Sequence, residues 1–205
     1  MLKRRSRFAL PRFTGGAVKV NLGFLDIEGN WEPDERERYA AWEMYVELVT
    51  RISVVELKSN EGLLREALSS LYTLFNTTRE ILKKYGPGVA QSKGEGDISF
   101  GRIAVEVLNV VLRPVLAYWH PILLDYESGR DTSVSATQHE WQWDKAEDLR
   151  EKLNEVRTEL IAYANTLACV ADVPSLIKTG DNQQIRFKSK KESKKDCKQL
   201  EGAVK

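Results

Sequence analysis

One segment of this chain carries a strict hydrophobic repeat. Apolar residues recur at alternating steps of three and four, at Ala146, Leu149, Leu153, Val156, Leu160, Tyr163, Leu167 and Val170. Such a succession places one apolar seam along a single face, which is typical of a long helix in a bundle or a coiled coil. The preceding Thr137-Gln-His-Glu140 matches a capping box, so we expect this helix to begin near Thr137 and to end at Pro174.

Three earlier segments also show helical spacing of apolar residues. The second of them stops at Gly86-Pro87, a C-terminal glycine followed by a helix breaker, and Pro114 and Pro121 predict kinks in the third. With the repeat described above, these segments predict a mostly α protein, a four-helix up-down-up-down bundle. The expected helices cover residues 33–55, 60–85 and 97–127.

Both ends of the chain are predicted to lie outside the bundle, which we assign to residues 31–177. Residues 1–30 form a basic N-terminal extension, in which alternation around Gly15-Gly16 predicts a β-hairpin. Residues 178–205 are rich in Lys, Gln and Ser and poor in apolar residues, which predicts a disordered basic tail.

The net charge of +1 conceals a strong asymmetry. Residues 1–20 hold six basic and no acidic side chains, and residues 178–205 hold nine basic and four acidic ones. The middle of the chain therefore carries a net charge of −10. The basic ends either stay solvated or fold back onto the acidic body, or they contact RNA or DNA through Lys3, Arg4, Arg5, Arg7, Lys188, Lys190 and Lys191.

Several classes of site have no matching motif. The sequence lacks a glycine-rich phosphate loop, a Cys-x-x-Cys pair and a nucleophile elbow, and two histidines are too few for a His-rich zinc site. We therefore expect no cofactor and no metal. The sequence contains no long uncharged apolar run, so we expect no membrane segment. Cys169 and Cys197 are not expected to pair, which favours a cytoplasmic protein.

The strongest candidates for chemistry are Arg113 and His120, in the apolar tract of the third helix. Seven residues correspond to about two helical turns, so the two side chains can share a face. A buried arginine requires a partner, because an unpaired buried charge is costly. In a structural interpretation, Arg113 therefore pairs with an acidic residue that faces it from a neighbouring helix, such as Glu66 or Glu43, and locks the helix register. His120 then caps carbonyl groups freed by Pro121, or bonds a tyrosine.

The Arg113-x6-His120 spacing also resembles the motif of the HEPN superfamily of helical bundles, many of which are metal-independent ribonucleases. The resemblance covers these eight residues in an all-helical context, and Pro114 and Pro121 depart from the family pattern. It implies that His120 moves a proton to or from the ribose 2′-hydroxyl or the leaving oxygen, and that Arg113 stabilises the phosphorane charge. It also implies a homodimer in which two protomers bring their motifs together.

A further candidate site lies at the start of the fourth helix. His139, Trp141 and Trp143 fall on different helix faces, so they cannot all point into the core. An exposed tryptophan here predicts a protein-binding site, because tryptophan is enriched in interface hot spots. The alternative is ordinary packing against the N-terminal segment.

The sequence as a whole favours a non-catalytic interaction module that dimerises or docks onto a larger assembly through its helices. One alternative is a HEPN-like ribonuclease that uses Arg113 and His120. Another is a nucleic-acid-binding bundle with basic tails and no chemistry. The ribonuclease requires Arg113 and His120 to face an accessible groove, whereas the interaction module predicts that both are buried and paired.

Overall fold

The computed structural model describes residues 15–21, 26–51, 56–58, 61–94, 96–177 and 188–189. This part of the chain is mostly α-helical, as the sequence predicts, and a small antiparallel sheet lies beside the helices. Its elements, in chain order, are β1 (Gly16–Asn21), β2 (Asp26–Trp31), α1 (Glu35–Val49), α2 (Leu64–Tyr85), α3 (Phe100–Ser128), α4 (Ala136–Trp141), α5 (Ala146–Val170) and β3 (Lys188–Ser189).

The four long helices α1, α2, α3 and α5 pack around one core. Helix α1 contacts both α5 and α2, and α2 also contacts α3. The predicted seam of α5 is confirmed, because every member from Leu149 to Val170 is buried and only Ala146 is half-buried. Gly86, at the end of α2, has a positive φ of 72°, which explains why a glycine stops this helix.

The capping box predicted at Thr137 is wrong. The Ser135 side chain caps α4 instead, by accepting a hydrogen bond from the Gln138 backbone N–H. Helix α4 ends at Trp141, and α5 begins only at Ala146. The single helix expected from residue 137 is therefore two helices with a break between them.

Glu140 caps a different helix from the one that its position predicts. Its buried carboxylate accepts hydrogen bonds from the backbone N–H groups of Leu64, at 2.7 Å, and Arg65, at 3.3 Å. Both groups belong to the first turn of α2, whose N-cap residue Leu63 provides no side-chain hydrogen bond. An acidic side chain from α4 thus satisfies free amides at the positive end of α2.

Pro114 changes the helical geometry of α3 without ending the helix. Proline has no N–H to donate, and its ring presses against the carbonyl group four residues earlier. The preceding segment, Val107–Leu112, is π-helical, and the Arg113 N–H donates to the carbonyl oxygen of Leu108, five residues back. The residues from Arg113 to Ser128 then return to α-helical geometry. Pro121 lies inside this last segment and does not end it.

The predicted hairpin exists, but its turn is elsewhere. Strands β1 and β2 pair antiparallel from Gly16 opposite Trp31 to Asn21 opposite Asp26. The connection is therefore at residues 22–25, outside the described residues, and not at Gly15-Gly16. The hairpin lies close to the bundle: the Asn30 carbonyl oxygen of β2 accepts a hydrogen bond from the backbone N–H of Ile98, two residues before α3, at 2.8 Å.

Of the tail predicted for residues 178–205, the structure describes Lys188 and Ser189. They form β3, which pairs antiparallel with Ala17 and Gly16 of β1. The sequence did not predict this pairing.

The domain boundary predicted at residue 31 falls on a strand end, since Trp31 is the last residue of β2 and its side chain is fully buried in the core.

Helix α3 is long and apolar enough, by length and composition, to cross a membrane. A single helix of this kind is weak evidence for a span, because a core helix of a soluble protein meets the same criteria. The buried side chains of α3 include Phe100, Ile103, Leu112 and Leu123, all at or close to zero exposure.

The buried carboxylate of Glu37 joins several elements. Its Oε1 accepts hydrogen bonds from the Trp31 indole N–H and from the Phe100 backbone N–H, both at 3.0 Å. Its Oε2 accepts from the Asp34 backbone N–H and from the Lys93 ammonium group, both at 3.1 Å. Glu37 thereby completes a capping box on α1, caps the start of α3 and holds the end of β2.

Replacement of Glu37 by alanine is expected to lower the free energy of unfolding by about 3–5 kcal/mol, because it leaves buried donors without an acceptor. Glu35→Ala is the matched control, since Glu35 lies exposed in the same helical turn. Its loss should cost less than about 1 kcal/mol. Urea unfolding of the two variants measures the difference, and equal losses would contradict the role assigned to Glu37.

Candidate functional site

Arg113 and His120 line one groove on the surface of the bundle. The groove lies between α2 and α3 and has a volume of about 300 Å³. Two of its lining side chains are guanidinium groups and none is acidic. The lining residues are Tyr72, Phe75, Asn76 and Arg79 from α2, and Arg113, Leu116, Ala117 and His120 from α3.

Helical spacing explains why these side chains meet. On α3, Arg113, Leu116, Ala117 and His120 follow at steps of three, one and three within the α-helical segment that begins after the π-helical turn. On α2, Tyr72, Phe75, Asn76 and Arg79 show the same steps. Residues three and four apart lie on one face of a helix, so each helix presents one wall of the groove.

The two arginines lie near one aromatic ring. The guanidinium carbons of Arg79 and Arg113 are 5.9 Å and 6.0 Å from the centroid of the half-buried Phe75 ring, within the range of a cation–π contact. Both side chains are exposed. Within the ranges that the structure describes, neither has a carboxylate at ion-pair distance. The two positive charges are therefore available to an anionic ligand.

The ion pairs expected for Arg113 do not form. Glu43 accepts hydrogen bonds from the Lys84 ammonium group and the Tyr85 hydroxyl group instead. Glu66 is exposed on α2 and has no ion pair within the described ranges. The prediction that Arg113 is buried and locks the helix register is wrong, because the arginine points into the solvent-accessible groove.

His120 is half-buried at the other end of the groove. Its ring centroid lies 5.9 Å from that of Tyr72, with the two planes tilted by 53°. The Arg65 Nη1 lies 3.3 Å from its Nδ1 and 3.4 Å from its Nε2. Because a guanidinium group only donates, a ring nitrogen that accepts from it has to be unprotonated. The expected contacts with carbonyl groups before Pro121, or with a tyrosine hydroxyl, are replaced by these neighbours.

Arg65 is itself held by Glu127. Its Nε lies 3.0 Å from both carboxylate oxygens, and its Nη2 donates to Oε2 at 2.7 Å. This two-pronged geometry is the strong form of an arginine–carboxylate pair. The Nε and Nη2 edge is thus occupied, and Nη1 is left facing the imidazole of His120. The pair neutralises the charge of Arg65, so the excess positive charge lies at Arg79 and Arg113.

His139, Trp141 and Trp143 have different environments. His139 stacks on Tyr126 with ring centroids 4.1 Å apart. Trp143, which is 6% exposed, also stacks with Tyr126, with ring centroids 5.4 Å apart. His139 and Trp143 therefore attach α4 and the residues that follow it to α3. Trp141 is 49% exposed, which agrees with the prediction that one of these side chains faces solvent.

Most of the basic residues predicted to contact nucleic acid cannot be placed. Lys3, Arg4, Arg5, Arg7, Lys190 and Lys191 lie outside the described residues. Lys188 is part of β3.

Neither a metal site nor a reactive cysteine is favoured in the described part of the chain. No group of three His, Cys, Asp or Glu side chains that could hold a metal ion occurs among these residues. Cys169 is half-buried, and burial raises the pKa of its thiol to about 11, so it is protonated at neutral pH and a poor nucleophile.

The contribution of α2 to the groove is not among the features predicted from the sequence. Tyr72 and Arg79 are seven positions apart in the sequence, the same interval as Arg113 and His120. An aromatic residue and an arginine two turns apart on a helix face that also carries Asn76 could have suggested a second wall. Which face of α2 meets α3 depends on packing, however, and the spacing alone does not determine it.

Comparison with protein-family models, with curated proteins and with solved structures finds no match to this chain.

Proposed function

We propose that this protein binds RNA in the groove between α2 and α3, with the guanidinium groups of Arg79 and Arg113 on the phosphate backbone. The observation that carries this proposal is a pair of exposed arginines that have no carboxylate partner among the described residues. No acidic side chain of the described chain lines the groove in which they lie. The planar guanidinium group matches the geometry of a phosphate. This positive site stands out because residues 21–177 carry a net charge of −10.

Two further features favour RNA over other phosphate compounds. The Arg113-x6-His120 spacing resembles the motif of the HEPN superfamily, many of whose members act on RNA. The chain ends carry eleven excess positive charges, six in residues 1–20 and five in residues 178–205. They would add a sequence-independent attraction to any polyanion that the groove binds.

Removal of both groove arginines tests the proposal. In an anisotropy titration of a fluorescent RNA, Arg79→Gln combined with Arg113→Gln should raise the Kd about 10- to 100-fold. Two lost phosphate contacts should also make the plot of log K against log salt shallower by about 1.4.

The matched control combines Arg36→Gln with Arg102→Gln, which removes two exposed arginines of α1 and α3 that do not line the groove. This control should bind like the wild type. Equal losses in both double variants, or no loss in either, would show that the groove does not hold the phosphates and would place binding elsewhere, such as on the basic ends.

RNA cleavage is a second candidate function, favoured because His120 and Arg113 line the same groove. In this reaction His120 takes the proton of a ribose 2′-hydroxyl, whose oxygen attacks the adjacent phosphorus. The new O2′–P bond forms as the P–O5′ bond breaks, and the leaving 5′-oxygen takes up a proton. Arg113 stabilises the additional negative charge on the phosphorane, and the products are a 2′,3′-cyclic phosphate and a 5′-hydroxyl.

Incubation of the protein with labelled RNA in EDTA tests this chemistry. The wild type should cleave the RNA, His120→Ala should lose at least about 100-fold in rate, and His139→Ala, which changes the histidine outside the groove, should retain activity. If the wild type binds the RNA but leaves it intact, the protein binds RNA without cleaving it. Cleavage that survives His120→Ala would also reject the assigned mechanism.

The interaction module is the remaining hypothesis for this chain. It predicted that Arg113 and His120 are buried and paired, whereas Arg113 is exposed and His120 half-buried. The exposed Trp141 still supports it. We therefore rank protein docking below RNA binding.

A further inference from the structure

Tyr72 is a large aromatic side chain that the fold leaves open. It is 57% exposed at the centre of α2, a helix that buries Leu68, Leu71 and Leu74 around it. Its ring contributes to the wall of the groove and lies next to the imidazole of His120. The tyrosine hydroxyl makes no hydrogen bond to a described residue. The Tyr72 side chain is therefore accessible to a ligand that enters the groove.

The groove has an aromatic end and a cationic end. Tyr72 and Arg79 are two helical turns apart, which corresponds to about 10 Å along α2. Between them lie the ring of Phe75, against which both arginines are placed, and the exposed amide of Asn76. A nucleotide has the same division, with a flat aromatic base at one end, a phosphate at the other and hydrogen-bonding groups between.

Resting on the RNA binding proposed above, we infer that the groove binds an unpaired nucleotide, with its base stacked on Tyr72 and its phosphate between Arg79 and Arg113. The ligand is then single-stranded RNA and not a duplex. In a duplex, neighbouring bases cover both faces of each base, whereas an unpaired base offers a free face to an aromatic side chain. A groove of about 300 Å³ is also at the small end of ligand sites, and it suits one nucleotide better than a helix.

Substitution of Tyr72 tests the stacking contact. Tyr72→Ala should weaken binding of a short single-stranded RNA by about 5- to 100-fold, whereas Tyr72→Phe should bind like the wild type. Binding of a duplex of the same sequence should be weak in the wild type and unchanged by either substitution. Tyr39→Ala is the matched control, because Tyr39 of α1 is also 57% exposed and does not line the groove.

A spectroscopic readout reports the stacking directly. A single-stranded RNA with one 2-aminopurine should lose fluorescence when it binds the wild type or Tyr72→Phe, and should lose less with Tyr72→Ala. The signal in the wild type keeps the test valid even if Tyr72→Ala proves unstable. Thermal unfolding of the variants checks this, and the exposure of Tyr72 predicts midpoints within a few degrees of the wild type.

The two proposals fail in different ways. If the Arg79/Arg113 double variant binds RNA poorly while Tyr72→Ala matches the wild type and 2-aminopurine stays bright, the base-stacking inference is wrong and RNA binding in the groove stands. Equal affinity of the wild type for single-stranded and duplex RNA would also overturn the inference. If the double variant binds as tightly as the wild type, both proposals are wrong.

Discussion

The buried carboxylate of Glu37 is the interaction on which the arrangement of this bundle depends. It accepts hydrogen bonds from Trp31 of β2, from the start of α1 and from the first N–H group of α3, and it pairs with Lys93 of the loop between α2 and α3. A buried charge is tolerated only where such donors surround it. One side chain thus fixes where α3 begins relative to α1 and the hairpin.

The groove is a consequence of how α3 is then placed against α2. At the centre of α3, the π-helical turn before Pro114 accommodates the missing N–H, and the α-helix then resumes with Arg113 in the groove. Near the C-terminal end of α3, Glu127 pairs with Arg65 of the first turn of α2, and Glu140 of α4 caps that same turn. The walls are therefore tied together at several points, while the side chains between them stay accessible.

Features that depend on neighbouring residues could be predicted from the sequence, and features that depend on distant ones could not. The α5 seam and the Gly86 stop follow from spacing and local chemistry. Glu37 caps the start of α3, 63 residues away in the sequence, and Glu140 caps the start of α2, 76 residues away. No local motif encodes either contact. Likewise, the spacing of Arg113 and His120 predicts a shared face, but only packing reveals that this face meets Tyr72 and Arg79.

The central claim, that RNA occupies the groove, can be tested on the two histidines of the chain, because His120 lines the groove and His139 does not. The measurement is an NMR titration of the imidazole ¹⁵N and ¹H resonances with a short single-stranded RNA. If RNA occupies the groove, the His120 ring resonances will shift until the RNA saturates the protein, while those of His139 stay in place. RNA that binds without moving the His120 signals, or that moves both sets equally, would contradict it.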